Sequence, residues 1–427
     1  MHKKIILLSC LFFLCSSLFS EEEPRSGGTL RLYTISDPKS FNPVIAQETS
    51  TTEITGYIFE SLLEQDVDTL KMKPRLAESW TRSEDGLVWE FFLREDALWN
   101  DGHPLSADDV IFTYNYLVYN EKIPTSTRDI LTIRGKRILV EKTGERSVRF
   151  ILPSPFAPFL RTCGAVEILP RHKYEKYVRE DTFHLAMSLD STTEDIVGTG
   201  PFMLEEYKPG QSVLLKRNPL YWKKHGENQL PYLEKISFAI FSDEVALIQF
   251  QQKNIDVYGV RGEDFPILKP LEKEKGFVIY NLGPQFGSNF ITFNLNNDKK
   301  TDGSYYIDKR KLDLFRKKEF RKAVAYAIDK DFIIDSVFNG FAEIQYTPVS
   351  PANTIFYNPE AAEKFPYPYD PEKAKELLSQ CGLKDINNDG ILDYPDGSTV
   401  EFNLFTNSGN KLREKICEII RKDMETV

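Results

Sequence analysis

With 427 residues, 41% of them hydrophobic and 28% charged, the chain is too long for one ordinary core and too apolar for disorder, so two or three folded domains are expected. Its formal charge of -10, from 54 basic against 64 acidic residues, argues against nucleic acid as a partner. Lys3 and Lys4, the apolar run 5–19 and Ser20 ahead of three glutamates predict a secretory signal over residues 1–20. The run is short for a membrane anchor and is broken by Ser9, Ser16 and Ser17. Lipidation is a third reading, although Cys10 lies close to the start and Cys15 follows Leu14, where a small residue would be wanted.

In chain order, residues 27–33 read as a first strand, bounded by Gly27-Gly28 and the Asp37-Pro38 turn, and 48–63 as a helix. Asp85-Gly86 marks a hairpin bend, and in the strand 88–94 Trp89, Phe91 and Leu93 point one way while Glu90 and Arg94 point the other. Asn100-Asp101-Gly102 makes a second turn. Ser106 with Asp109 forms a capping box that opens a helix carrying Val110, Ile111, Tyr114 and Leu117 on one face. Residues 147–152, 213–216, 236–241 and 256–260 read as strands and 243–252 as a helix. Residues 289–295 and 401–405 are further candidate strands. Phe320, Ala323, Val324, Ala327 and Ile328 fall at helix-face spacing. Asp370-Pro371 starts a helix that buries Ala374, Leu377 and Leu378 and stops at Gly382, and Leu412, Ile416, Ile419 and Ile420 define a last one.

Catalytic signatures are missing. There is no Gly-x-Ser-x-Gly elbow, no His-Glu-x-x-His and no phosphate-binding Gly-x-x-x-x-Gly-Lys, and the five histidines (His2, His103, His172, His184, His225) are scattered. Past the signal the cysteines are Cys163, Cys381 and Cys417; an exported protein could pair Cys381 with Cys417, and buried thiols are the other reading. Gly198-Thr199-Gly200 could cradle an anion through backbone amides or form a structural turn in which Gly200 takes a backbone angle closed to other residues. Asp385, Asn387, Asp389, Asp393 and Asp396, with Gly390, place oxygen donors as a calcium loop does. The terminal Asp, the Pro395 before it and the strand that follows favour a polar turn instead.

The combination PRLAESW…SEDGL…VWEFFLRED…LWNDGHPLSADDVIFTYNY over 74–116 is more specific than any of its parts. It resembles the signature region of the bacterial family 5 extracellular solute-binding proteins, the dipeptide- and oligopeptide-binding proteins of ABC transporters. GGTLRLYTISDPKSFNP (27–43), YIFESLLEQD (57–66), VGTGPFMLEEYKPGQSVLLKRNPLYW (197–222), FRKKEFRKAVAYAIDKDFI (315–333) and YDPEKAKELLSQCGL (369–383) follow in the matching order, so the resemblance runs from Gly27 to Val427.

The resemblance implies an α/β, two-lobed periplasmic-binding-protein fold with a hinge. Residues 27–56 and 196–277 would form the first lobe, 57–195 an extra α/β subdomain and 278–427 a second lobe. Family members continue past this chain's last residue, so the second lobe is expected to be incomplete. The implied function is that of a monomeric, exported, periplasmic or lipid-anchored receptor, without catalysis or cofactor, which holds a peptide between its lobes and delivers it to a membrane permease. Relatives that take nickel complexes, haem, glutathione or oligosaccharides are alternatives, as is a signalling or scaffold protein. By position, the implied ligand contacts are Gln47, Glu48 and Thr49, then Tyr258 and Gly259, and then Gln285, Phe286, Ser288, Asn289 and Phe290.

Overall fold

The computed structural model describes residues 24–46, 48–407 and 410–427, so the expected signal, with Cys10 and Cys15, and the expected contact Gln47 lie outside the described residues. The chain divides into two compact units, one of residues to Val67 with Lys71–Val257 and one of Asp68–Leu70 with Tyr258–Val427. Among the described residues, no helix is long and apolar enough to cross a membrane.

The principal elements of the first unit are, in order, β1 (Thr29–Thr34), α1 (Thr49–Thr55), β2 (Ala77–Arg82), β3 (Val88–Leu93), α2 (Ala107–Ile111), β4 (Leu139–Gly144), β5 (Ser147–Ile151), α3 (Arg171–Arg179), β6 (Phe202–Lys208), β7 (Ser212–Arg217), β8 (Lys235–Ile240) and α4 (Asp243–Gln251). They build two four-stranded sheets. One runs β1-β8-β7-β6, with β1 parallel to β8 and the others antiparallel; the second is the antiparallel run β2-β3-β5-β4. Alternation sets the inward faces, since Ile236 and Phe238 of β8 are buried, paired with Leu215 and Val213 of β7. In β3, Phe91 and Leu93 are buried, and Trp89 packs on Phe159 with ring centroids 5.2 Å apart. Phe91, Phe150, Phe159 and Tyr114 then form one aromatic core. Each fully buried ring contributes about 1.5–3 kcal/mol of transfer free energy.

The capping box forms as the sequence indicates, with the Asp109 carboxylate accepting the Ser106 amide at 2.9 Å. The helix it opens widens into a π-helical segment at Phe112–Val118, burying Phe112, Tyr114, Leu117 and Val118. Two expectations for this unit need correction. The helix expected over 48–63 ends at Thr55, because the next carbonyls are taken by the glycine motif: Ile58 accepts the Gly200 amide at 2.8 Å and Tyr57 the Phe202 amide at 3.0 Å. Residues 256–260 form no strand; only Asp256 reaches the edge of β1, where it binds Arg31 through both main chain and side chain.

The second unit packs α5 (Lys309–Arg316), α6 (Lys318–Ala327), α7 (Lys330–Phe338), α8 (Pro371–Gln380) and α9 (Lys411–Glu425) around Phe315, Phe320, Ala323, Ala374 and Leu378. Asp370 caps α8 by accepting the Lys373 amide at 2.9 Å, and Gly382 just past its end is left-handed at φ +85°. The strands expected at 289–295 and 401–405 are not formed. Their side chains do alternate, for Ile291, Phe293, Val400 and Phe402 face the core and Phe402 meets Phe315 edge-on at 5.5 Å. These segments have the burial pattern of strands without ladder partners. Cys381 does not pair with Cys417, and all three described cysteines are free thiols.

Candidate ligand-binding site

In the first unit, Glu48 is the N-cap of α1 and Thr49 its first residue; both are exposed. The loop leading to them is pinned by Asn42, which is fully buried, donates to the carbonyls of Phe183 and Ala186 and accepts the Val44 amide at 3.1 Å. Upstream, Asp37 accepts the Gly210 amide at 2.8 Å and the Tyr207 hydroxyl at 2.7 Å, and these two bonds hold its carboxyl below the usual aspartate range. Thr49 therefore starts a helix whose approach is fixed on both sides.

The Gly198–Gly200 motif is not an anion cradle, because the Gly200 amide is already given to Ile58. Gly200 does not adopt the left-handed backbone expected of it; the requirement is close approach. A Cβ at Gly198 would lie 2.0 Å from the Ile58 carbonyl oxygen and one at Gly200 2.5 Å from that of Tyr57. Next to this crossing, Glu60 is fully buried and accepts from Arg75 at 2.9 Å, Tyr221 at 3.1 Å and Trp222 at 2.8 Å.

In the second unit, Tyr258 is buried and its hydroxyl donates to Asp264 at 2.5 Å, while Arg261 grips the same carboxylate through Nε and Nη2. The polar atom of Tyr258 is thus engaged within the protein, and burial, followed by the hydrogen bond to Asp264, pushes that phenol well above its ordinary value. Gly259 beside it is exposed. Gln285, Phe286, Ser288, Asn289 and Phe290 lie together on one extended, exposed segment. Phe286 and Phe290 are 59% and 79% exposed, which is unusual for phenylalanine and supplies apolar contact area. The segment is tethered where the Gln285 carbonyl accepts the Ser350 hydroxyl at 2.6 Å and the Asn289 side chain accepts Arg413 Nε at 3.1 Å. Sequence reasoning missed Ser350 and Arg413, and no local motif marks either.

Around the acidic loop, Asp385 accepts the amides of Asp389 and Gly390, Asn387 accepts that of Asp389, and Asp389 that of Ile391. Asp396 likewise accepts the Ser398 amide. Most donors of the expected calcium loop are thus turned onto backbone, which closes the turn. Asp393, 1% exposed, accepts the Ile386 amide through Oδ2 and leaves Oδ1 without a hydrogen-bond partner.

The model of the bacterial extracellular solute-binding proteins, family 5, matches residues 71–427. The chain belongs to that family. Family 5 proteins are extracellular solute binders, which places this chain among exported binding proteins. It is 29% identical over 418 residues to the oligopeptide-binding protein AppA of Bacillus subtilis, covering 96% of this chain and 69% of that protein. A probable ABC transporter-binding protein of Deinococcus radiodurans is 28% identical, over 94% of this chain and 68% of its own length. The structure of Bacillus subtilis AppA in complex with a nonapeptide superposes with a TM-score of 0.73 at 28% identity, over 95% of this chain and 73% of that one. The two-lobed α/β fold implied by the sequence is therefore that of the family.

Proposed function

We propose that this family 5 protein is the peptide-binding component of an ABC importer and passes its ligand unchanged to a membrane permease. The observation that carries this is the similarity over almost the whole chain to an oligopeptide-binding protein solved with a nonapeptide. The segment bearing Gln285, Phe286, Ser288, Asn289 and Phe290 supports it: extended backbone suits main-chain pairing with a peptide, and exposed aromatic rings suit side chains of varied kind. Gln47, Glu48, Thr49, Tyr258 and Gly259 complete the proposed contacts. The first lobe is taken as 27–56 with 196–277, the extra subdomain as 57–195 and the second lobe as 278–427. Strands β2 to β5 fall wholly within 57–195 and the other sheet wholly outside it, which supports that division. Residence in the periplasm, with lipid attachment at Cys10 or Cys15 as second choice, is part of the same reading; the mass of the mature N-terminus decides between them.

The deciding experiment is mass spectrometry of small molecules that co-purify with the protein, followed by calorimetric titration with what is found. Peptides binding saturably without turnover are the expected result, and hydrolysis of the ligand or a non-peptide occupant would overturn the assignment. A subsidiary proposal is calcium at Asp385, Asn387, Asp389, Asp393 and Asp396, supported by the buried unpartnered Oδ1 of Asp393. Calcium should then raise the melting temperature and EDTA lower it; no movement in either direction removes that metal.

A further inference from the structure

Two histidines that are 69 positions apart in the chain meet in the first unit. The imidazoles of His103 and His172 stack with centroids 4.0 Å apart, and Asp101 bridges their edges. Its Oδ1 lies 3.2 Å from His103 Nδ1 and its Oδ2 lies 2.8 Å from His172 Nε2. One ligand atom from each of the three residues falls within 4.8 Å of the others; this is the one such group of three His, Cys, Asp or Glu residues among the described residues. Partial burial alone would raise the Asp101 carboxyl, but hydrogen bonds from His172 and His103 hold it below the usual aspartate range.

The frame behind the cluster is rigid. Asp101 and His103 sit on a tight turn closed by Trp99 donating to the His103 carbonyl at 2.8 Å and by Gly102, at φ +90°, donating to the Trp99 carbonyl at 2.9 Å. Asn100 in the same turn donates its amide to the Gly198 carbonyl. His172 is the second residue of α3, and the first, Arg171, gives its amide to the buried Asp109 at 2.8 Å. One carboxylate therefore caps α2 and fixes the start of α3 over the turn.

We propose that Asp101, His103 and His172 bind a late first-row divalent cation of the zinc, nickel, cobalt or copper type. Two imidazole nitrogens and one carboxylate select such ions over calcium and magnesium, which favour all-oxygen sites. Tetrahedral zinc, with bonds of about 2.0–2.1 Å, sets its ligand atoms roughly 3.3 Å apart. The Asp101 oxygens lie 3.2 and 2.8 Å from the two ring nitrogens, and the rings, stacked 4.0 Å apart, turn out of their stack to aim both lone pairs at one ion. The ion takes the place of any ring protons between the imidazoles and Asp101; each coordinated ring is neutral and carries its single proton on the nitrogen away from the ion, and any second ring proton leaves to solvent. Three protein ligands leave at least one coordination position for water or an external donor. The side chains of His103, His172 and Asp101 are 60%, 31% and 29% exposed, so the ion has a route in.

The full-length protein is titrated with Zn2+ against a chromophoric chelator and separately with Co2+ in the visible range. One equivalent is expected to bind, with a rise in melting temperature and cobalt d–d absorption. His172→Ala and Asp101→Asn should each weaken binding at least tenfold, and His184→Ala should not. His103→Ala removes an exposed ring from an otherwise unchanged turn, so it guards against loss of fold; circular dichroism checks each variant. Absence of saturable binding below millimolar zinc, or an affinity in the His103→Ala and His172→Ala variants unchanged from that of the unsubstituted protein, overturns the site.

Discussion

Gly198 and Gly200 show how a single missing carbon governs this molecule. A methyl group at either would press on a carbonyl oxygen of Ile58 or Tyr57 and force apart two backbone segments that exchange hydrogen bonds. Gly200→Ala is expected to cost roughly 2–3 kcal/mol, read as a lower denaturation midpoint at unchanged slope. Cys163 tests burial differently. Its thiol is pushed up to about 12 by desolvation, offset in part by a contact with Tyr114. In the native protein a thiol reagent should modify half-buried Cys417 first and leave Cys163 untouched until unfolding. At the proposed binding segment, Phe290→Ala should weaken peptide binding about tenfold while leaving the melting temperature unchanged, since the ring is mostly exposed. A drop in melting temperature with unaltered affinity would assign Phe290 to packing.

Among elements, Asp109 joins two helices, and burial raises its carboxyl even though the amides of Arg171 and Ser106 oppose the shift. Asp109→Ala should cost about 2–3 kcal/mol by stranding both donors, and should loosen α3 at His172 as well. The Asp37–Tyr207 pair ties the first turn to the β6–β7 hairpin with a defined pH window. Because the Asp37 carboxyl is held below its ordinary value, its contribution is present above about pH 4 and is lost as pH falls through the lowered value. Tyr207 is pushed up to about 12 by burial and then by Asp37, so its share is complete below about pH 10 and is lost as pH rises toward about 12. Stability against pH for Asp37→Asn should show a shallower acid limb, the remaining fall coming from other lowered carboxylates such as Asp256 and Asp195. Elements with local signals were legible: β3 from its alternation, α2 from its capping box and α8 from Asp370-Pro371. Residues 289–295 and 401–405 carry equally good alternation but form no strand, because alternation reports which side is buried and not whether a partner is present. The His103–His172 meeting was illegible for a related reason, since it depends on how α3 packs against a turn far away in sequence.

For the whole molecule, each unit has its own core, and all four tryptophans (Trp80, Trp89, Trp99 and Trp222) belong to the first. Tryptophan emission therefore reports one unit, whereas far-UV circular dichroism reports both. The second unit, with its unladdered extended segments, should melt first, so the dichroism transition should begin at lower temperature than the fluorescence one. Coincident curves would show a single cooperative body instead. The parallel pairing of β1 with β8 has a consequence of another kind. Thr29 finds its partner at Lys235, so the first strand must wait, unpaired, until most of the first unit has left the ribosome. A polypeptide that postpones closure in this way stays threadable for longer, which is the condition that a translocation channel demands of its cargo.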